Sequence, residues 1–281
     1  MIALSLSLAA CLGWGVADFL GGLKSRQLAV FSVLMISSIF GLGAVLAIVL
    51  VRGVGPPDNP ALLLAVVGGI AGVAAMFCLY RGLSIGSMAI VAPISAAGVI
   101  LPVIVGLAAG DSPTFLQKLG MAAAIAGAVL ASREKNADGN GNRLAAGVGL
   151  AIGSAIAAGI FFVVMDRASE ADPYWAAFLM RLSYFIFLVI IFLLKKPPIR
   201  IKKAHLPAII VLGIFDSLAG FAYALATTHG MLGLVAVVGG LYPAVTVLLS
   251  ILILHEKPQA IQFIGVLLAV GGVTLISAGS L

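Results

Sequence analysis

Ten apolar stretches of about 20 residues follow one another along this chain, and each is long enough to cross a bilayer core. Only 9% of the residues are charged, against about 25% in ordinary soluble domains, and the mean hydropathy is +1.23. We therefore predict an all-α integral membrane protein with ten transmembrane helices. The predicted spans are residues 1–23, 30–51, 62–80, 88–109, 116–131, 144–165, 175–194, 207–228, 232–254 and 261–278.

The two halves of the chain resemble each other in sequence. The segment DSPTFLQKLGMAAAIAGAVLAS, from Asp111, aligns with EKPQAIQFIGVLLAVGGVTLIS, from Glu256. The identical pairs include Pro113 with Pro258, Gln117 with Gln262, Gly120 with Gly265 and Gly127 with Gly272. A polar, Asn/Gly-rich stretch, REKNADGNGNR, lies between the halves and is typical of a linker. The sequence thus predicts a first five-helix repeat at residues 1–136 and a second at 137–281.

Five spans in each repeat is an odd number, so the second repeat is predicted to cross the membrane in the opposite sense to the first. Inverted repeats are the architecture of many secondary transporters, whose substrate site lies between the repeats near the middle of the membrane. The sequence therefore favours a transporter of small molecules that works by alternating access.

Three charged residues lie within the predicted spans rather than at their edges: Asp18, Arg181 and Asp216. A charge at the centre of a span costs about 2.5–3.5 kcal/mol on insertion scales, so such residues are usually paired or functional. Asp18 shares a helical face with Trp14 and is either a carboxylate that handles protons and charge or an aspartate near the interface. Arg181 either holds a substrate carboxylate, neutralises Asp18 or Asp216, or reaches the headgroups. Asp216 either lines the transport path and couples charge or bonds to neighbouring helices.

Aromatic residues in the spans complete a predicted substrate site. Its proposed members are Trp14, Tyr80, Arg181, Tyr184, Tyr223 and Tyr242. Tyr80 and Tyr223 occupy nearly equivalent positions in the two repeats, which suits opposite walls of a cavity. The alternative for these tyrosines is the ordinary enrichment of tyrosine at membrane interfaces.

Three prolines lie within predicted spans rather than at an end: Pro93, Pro102 and Pro243. Proline removes a backbone donor and frees a carbonyl group one turn earlier, and neighbouring helices or water must satisfy that carbonyl. These positions are therefore either hinges for alternating access or fixed kinks.

The main rivals to a transporter are an intramembrane enzyme and a channel or scaffold. The segment GLSIG, from Gly82 to Gly86, matches GxSxG, but it lies in a connector without the strand-to-helix turn that the motif needs. We predict no catalytic residue, metal or cofactor. The net charge of +6 resides mostly in short connectors, where lipid headgroups are the natural neighbours, so a nucleic-acid partner is excluded.

The chain resembles the drug/metabolite transporter superfamily, specifically its EamA-type members with ten helices. The features that carry the resemblance are Trp14-Gly15 with Phe19, Leu241-Tyr242-Pro243, the segment LILHEKP from Leu252, and Gln262 with Gly265 and Gly271-Gly272. The resemblance implies export or exchange of small metabolites, amino acids or drugs, often coupled to protons. It also implies a prokaryotic cytoplasmic (inner) membrane as the location.

The orientation of the chain stays open at this point. Connectors after odd-numbered spans carry twelve Lys and Arg residues and the opposite connectors carry three, which places both termini outside by the positive-inside rule. The resemblance implies the reverse, because well-studied eukaryotic relatives keep both ends in the cytosol.

Overall fold

The computed structural model describes residues 1–25, 27–85, 94–131, 141–199, 201–254 and 260–279, and within these ranges the chain is helical without strands. The helices are α1 (Ile2–Ser25), α2 (Val30–Arg52), α3 (Leu64–Ile85), α4 (Ile100–Ala108), α5 (Phe115–Ala131), α6 (Gly141–Ala171), α7 (Pro173–Lys195), α8 (Leu206–Thr227), α9 (Leu232–Gly239), α10 (Tyr242–Leu254) and α11 (Ala260–Ala278). Short 3₁₀ turns occupy Pro60–Leu63, Ala97–Val99 and Lys203–His205.

Eight helical segments in the described residues are long and apolar enough to cross a membrane, and two shorter apolar helices accompany them. The shorter helices are Ile94–Ala108 and Phe115–Leu130, and α9 and α10 together form one of the eight long segments, Leu232–Leu254. Large apolar side chains such as Leu193 and Phe263 are exposed on the outside of the bundle, as contact with lipid requires. The prediction of an all-α integral membrane protein is confirmed.

The boundary between α6 and α7 differs from the predicted one. The predicted sixth span stops at residue 165, whereas α6 continues to Ala171 and takes Asp166 into the apolar segment. The Asp172 carboxylate accepts hydrogen bonds from the backbone N–H groups of Tyr174 and Trp175, and Pro173 occupies the first turn of α7. This cap starts a new helix directly after the old one, so the polar residues from Asp166 to Glu170 belong to the last turns of α6 rather than to a connector.

Helices α5 and α11 cross in direct backbone contact. The Cα of Gly120 faces the Gly272 carbonyl, and that of Gly127 faces the Gly265 carbonyl and the Ala269 amide. Because the earlier glycine of α5 meets the later glycine of α11, the two helices run antiparallel. Glycine at each crossing point allows this approach, as at many helix interfaces within membranes.

The remaining contacts repeat between the two halves of the chain. Helix α1 of the first half packs along α8 of the second half, and α6 of the second half packs along α3 of the first. Likewise, α2 packs on α8 and α7 packs on α3. The start side of the bundle, where α1 begins at Ile2, also holds the end of α2 and the beginning of α7. The end side is where α1 stops at Ser25.

Two of the predicted hinge prolines lie just after breaks in helical geometry. Pro243 is in the first turn of α10, directly after the break that separates α9 from α10. Pro102 is buried in the first turn of α4, after the 3₁₀ turn Ala97–Val99. The third candidate, Pro93, lies outside the described residues.

The crossing of α5 and α11 gives a matched pair of test variants. In Gly272→Ala the new Cβ would lie 2.6 Å from the Gly120 carbonyl oxygen, whereas nothing lies within 4 Å of a Cβ at Gly271. We expect Gly272→Ala to destabilise the protein by about 1–3 kcal/mol through overpacking. Gly271→Ala should leave the melting temperature unchanged or slightly higher, because alanine favours helices. Thermal unfolding in detergent measures both, and equal melting temperatures would contradict the close crossing.

Candidate functional site

A cavity lies in the middle of the bundle, between helices of both halves of the chain. Its empty volume, counted out to the open solvent at its mouth, is about 710 Å³. Its lining residues are Trp14, Asp18, Gly72, Ala75, Met76, Leu79, Ser154, Ala158, Phe161, Phe162, Met180, Arg181, Tyr184, Asp216, Gly220 and Tyr242. Mostly apolar walls with a few polar groups are typical of a ligand site.

An ion pair between Arg181 of α7 and Asp216 of α8 forms one wall of the cavity. The Arg181 Nη2 lies 2.8 Å from the Asp216 Oδ2, and the two side chains are only 5% and 17% exposed. The guanidinium carbon also lies 5.0 Å from the ring centroid of Tyr184, a cation–π distance. The Arg181 Nε is buried and has no partner among the described residues. Arg181 thus neutralises Asp216 and keeps one donor free.

Asp18 of α1 lies in the same cavity but is not paired. Within the described ranges no hydrogen bond or ion pair reaches its carboxylate, which is half-buried and lines the same cavity as Asp216. Gly15 and Gly21 flank it on α1, and they allow Val245 of α10 and the Tyr80 hydroxyl to approach the helix backbone. The cavity therefore contains a carboxylate without a counter-charge in the described part of the protein.

A layer of aromatic rings closes the cavity towards the start side. Trp14, one turn before Asp18 on α1, is its centre. Its ring centroid lies 6.1 Å from that of Phe161, 5.8 Å from those of Phe162 and Tyr223, and 6.3 Å from that of Tyr242. The fully buried Tyr223 fixes the layer, because its hydroxyl donates a 3.0 Å hydrogen bond to the Phe162 carbonyl.

Polar contacts beyond this layer join the helix ends on the start side. The Arg52 Nη1 lies 2.7 Å from both carboxylate oxygens of Asp172, and its guanidinium carbon lies 4.1 Å from the ring centroid of Tyr174. Asp172 therefore caps α7 and ties it to the end of α2. Nearby, the Gly233 amide at the beginning of α9 donates a 3.3 Å hydrogen bond to the Asp111 carboxylate. Rings and charged groups thus join the helices on the start side.

Six of the eight predicted binding and charge residues line the cavity together: Trp14, Asp18, Arg181, Tyr184, Asp216 and Tyr242. The other two lie behind the wall. Tyr223 supports the aromatic layer, and Tyr80 packs in a neighbouring apolar cluster with its hydroxyl against Gly21. Of the alternatives for Arg181, the geometry is that of a counter-ion, with Asp216 as the partner.

Sequence analysis missed the contribution of α6 to the cavity. Phe161 and Phe162 supply two rings, and the Ser154 hydroxyl donates a 3.0 Å hydrogen bond to the Ala75 carbonyl of α3. The deep part of α6 carries no ionisable residue, so the search for buried charges passed over it. A usable signal was the Phe-Phe pair in a segment otherwise rich in Ala, Gly and Ile.

A membrane-spanning helical bundle with a central cavity that contains charged groups is characteristic of membrane transporters. The model of the EamA-like transporter family matches residues 1–133 and again residues 145–278. The chain belongs to the EamA-like transporter family, and the predicted resemblance is confirmed.

The fold is also found among solved structures. One of them, described as "Crystal structure of protein", superposes with a TM-score of 0.82 at 19% identity over 98% of this chain and 96% of the other. At this identity the likeness establishes the fold alone. No curated protein matches the chain significantly.

The effect of burial on an ion pair can be tested by comparing the buried Arg181–Asp216 pair with an exposed pair. Asp216→Asn leaves the Arg181 charge buried without its partner, and we expect it to destabilise the protein by about 3–5 kcal/mol. The double variant Arg181→Met/Asp216→Leu should be more stable than Asp216→Asn. The control is Glu170→Gln. Glu170 and Arg167 form an ion pair whose side chains are 59% and 47% exposed, so its removal should change the melting temperature little. Melting temperatures in detergent compare the three, and equal losses in Asp216→Asn and Glu170→Gln would contradict the burial argument.

Proposed function

We propose that the protein is a secondary transporter that moves a small organic solute across a prokaryotic cytoplasmic membrane by alternating access. The observation that carries this proposal is the cavity in the middle of the bundle, in which Asp18 has no counter-charge among the described residues. A carboxylate there is costly unless it has a task. Binding and release of a solute and a proton provide one.

In this proposal the chain forms ten crossings, as two inverted repeats at residues 1–136 and 137–281. The family match to two separate segments supports the division. The antiparallel crossing of α5 and α11 supports the inversion, because these helices hold equivalent places in the two halves. The repeated contacts of α1 with α8 and of α3 with α6 fit the same arrangement.

Alternating access requires that the closed side opens while the other closes. On the start side the aromatic layer around Trp14 and the Arg52–Asp172 pair must separate for the cavity to open there. The breaks beside Pro102 and Pro243 are suitable pivots, because α4 and α10 begin at these points without a continuous helical ladder before them. The aromatic layer also interrupts a continuous path, which favours a transporter over a channel.

Asp18 is the residue proposed to couple solute and proton. Protonation removes its charge, so the neutral and charged forms bind solutes with different affinity. A solute that binds one form better exchanges with, or accompanies, a proton in each cycle. Arg181 and Asp216 hold each other and remain a fixed pair in this scheme.

Proteoliposomes that contain a pH-sensitive dye test the coupling. A panel of amino acids, small metabolites and lipophilic cations should include solutes that trigger proton movement through the wild-type protein. The same solutes should trigger none through Asp18→Asn, because asparagine cannot carry the proton. The control is Asp58→Asn, which removes an exposed carboxylate from the connector after α2. Proton movement that persists in Asp18→Asn would assign Asp18 a structural role, and silence of the wild type across the panel would count against transport.

The native Cys11 reports opening on the start side. Cys11 is buried, three residues before Trp14 on the same face of α1. In a Cys78→Ser background, Arg52→Gln should raise the rate of Cys11 alkylation by N-ethylmaleimide several-fold, because the Arg52–Asp172 pair no longer holds α2 to α7. Arg167→Gln in the same background is the control, since it disrupts only an exposed pair. Equal alkylation rates in the two variants would show that the Arg52 pair does not restrain opening.

A further inference from the structure

We propose that a groove on the outer surface between α3 and α7 binds one acyl chain of an anionic phospholipid, whose headgroup is held by Lys195 and Lys196 on the end side. The groove shares no lining residue with the central cavity, so the inference does not depend on the proposed transport function. Its lining side chains include Val66 and Ile70 of α3 and Leu179, Leu182, Ile186 and Ile190 of α7.

The groove forms where α3 and α7 approach each other at small residues. The Cα of Gly69 on α3 faces the Met180 carbonyl and the Ser183 side chain of α7, and these small residues leave room between the larger side chains around them. The Ser183 hydroxyl donates to the Met180 carbonyl at 2.9 Å or to the Val66 carbonyl at 3.2 Å, so its proton is used within the protein. The other described lining residues are apolar. The groove therefore suits an apolar occupant that packs by van der Waals contact.

The shape of the groove fits a chain rather than a helix. Leu179, Leu182, Ile186 and Ile190 follow one another at spacings of three and four on one face of α7, so the groove runs about 17 Å along the helix. Its empty volume, counted out to its open side, is about 490 Å³, which gives a mean cross-section of at most about 30 Å² over this length. A helix about 10 Å across has a cross-section of about 80 Å². The groove is thus too narrow to receive a helix of a second copy of the protein, whereas an extended hydrocarbon chain fits.

Basic residues follow the groove at the end of α7. Lys195 and Lys196 are exposed, and they lie about 8 Å along the helix axis beyond Ile190. The segment that they open, KKPPIRIKKAH, contains five Lys and Arg residues and no Asp or Glu. Clusters of basic residues directly after a membrane-spanning helix attract anionic lipid headgroups. The charge of this segment therefore complements a phospholipid with a net negative headgroup.

The leaflet on the end side is the one that supplies the lipid. On the start side, the described arginines Arg52 and Arg167 are already held in ion pairs with carboxylates. On the end side, Ser183 in the middle of the groove lies about 18 Å along α7 from Lys195, and the hydrocarbon of one leaflet is about 15 Å thick. A chain whose headgroup lies at the lysines therefore reaches the middle of the groove.

The groove and the central cavity lie on opposite faces of the α3–α7 pair. Arg181 and Tyr184 of α7 line the cavity, whereas Leu182 and Ile186 line the groove. On the cavity side, Gly72 of α3 lies against the Tyr184 ring. A chain in the groove contacts both helices from the outside. It thus stabilises the helix pair that supplies one wall of the cavity, because a ligand that binds the folded state stabilises it.

Two phospholipids with the same acyl chains test the site. Phosphatidylglycerol has an anionic headgroup and phosphatidylcholine a zwitterionic one. Native mass spectrometry of the wild-type protein in detergent, titrated with each lipid, measures the affinity for the first lipid bound. We expect the first phosphatidylglycerol to bind about tenfold or more tightly than the first phosphatidylcholine. Phosphatidylglycerol should also raise the melting temperature more than phosphatidylcholine does.

A matched pair of variants on α3 tests the groove. Ile70 lines it and is 42% exposed, whereas Val67 does not line it and is 45% exposed. Ile70→Trp fills the groove and should weaken the binding of phosphatidylglycerol by about tenfold or more, because the chain loses its contacts. Val67→Trp should retain the wild-type affinity. Size-exclusion chromatography in detergent checks that each variant is folded, and Ile186→Trp fills the same groove from α7 if Ile70→Trp is not.

A second pair of variants tests the headgroup contact. Lys195→Gln/Lys196→Gln should lower the affinity for phosphatidylglycerol to that for phosphatidylcholine, because the positive charges beside the groove are lost. The control, Lys24→Gln/Lys118→Gln, removes the same charge from the ends of other helices and should retain the preference for phosphatidylglycerol.

Each contrary outcome overturns the inference in a different way. Equal affinities for the two lipids in the wild type would show that the headgroup is not selected. Equal affinities of Ile70→Trp and Val67→Trp for phosphatidylglycerol would place the bound lipid elsewhere on the surface. A preference for phosphatidylglycerol that survives in Lys195→Gln/Lys196→Gln would remove the lysines from the site. A dimer in the wild type that Ile70→Trp dissociates would assign the groove to a second copy of the chain.

Discussion

The ion pair between Arg181 and Asp216 determines which charged group of the central cavity is left without a partner in the described part of the chain. In a bundle surrounded by lipid an isolated guanidinium or carboxylate is expensive, and a 2.8 Å contact between two helices makes both tolerable. By occupying Arg181, the pair also leaves Asp18 without a counter-charge in the described part of the bundle. The negative charge of the cavity is thus a consequence of which carboxylate Arg181 selects.

Small residues make this selection sterically feasible. Without a hydrophobic force between helices in lipid, close packing at small residues brings them together. Gly13 lies against Ala219 of α8, so α1 and α8 are in near contact, while Gly69 lies against Ser183 and the backbone of α7. The three charged side chains come from α1, α7 and α8, and these contacts place them around one space rather than on separate lipid-facing surfaces.

The sequence predicts the class of the fold well and the details of the site only in part. Hydropathy reports the membrane segments because each must satisfy its own backbone, and the cost of buried charge singles out Asp18, Arg181 and Asp216. The sequence does not show which carboxylate pairs with Arg181, because that depends on how α7 and α8 are rotated against α1. The same limit applies to Tyr223, which shares a helical face with Asp216 in sequence yet lies behind the wall, hydrogen-bonded to the Phe162 carbonyl. Phe161 is missed because the Phe161–Phe162 pair marks the segment but does not show which way either ring points.

The unpaired carboxylate gives a physical reason for the coupling between solute and proton that we propose. In the proposed alternating-access cycle, the cavity passes through a form that is closed to water on both sides. An ionised Asp18 in that form loses its hydration, a penalty of several kcal/mol for a buried charge without a partner. A proton on Asp18 removes the penalty, whereas an empty cavity with an ionised Asp18 retains it. In the proposed cycle the closed form is therefore accessible only when Asp18 is neutralised, and this condition would couple the movement of the solute to that of a proton.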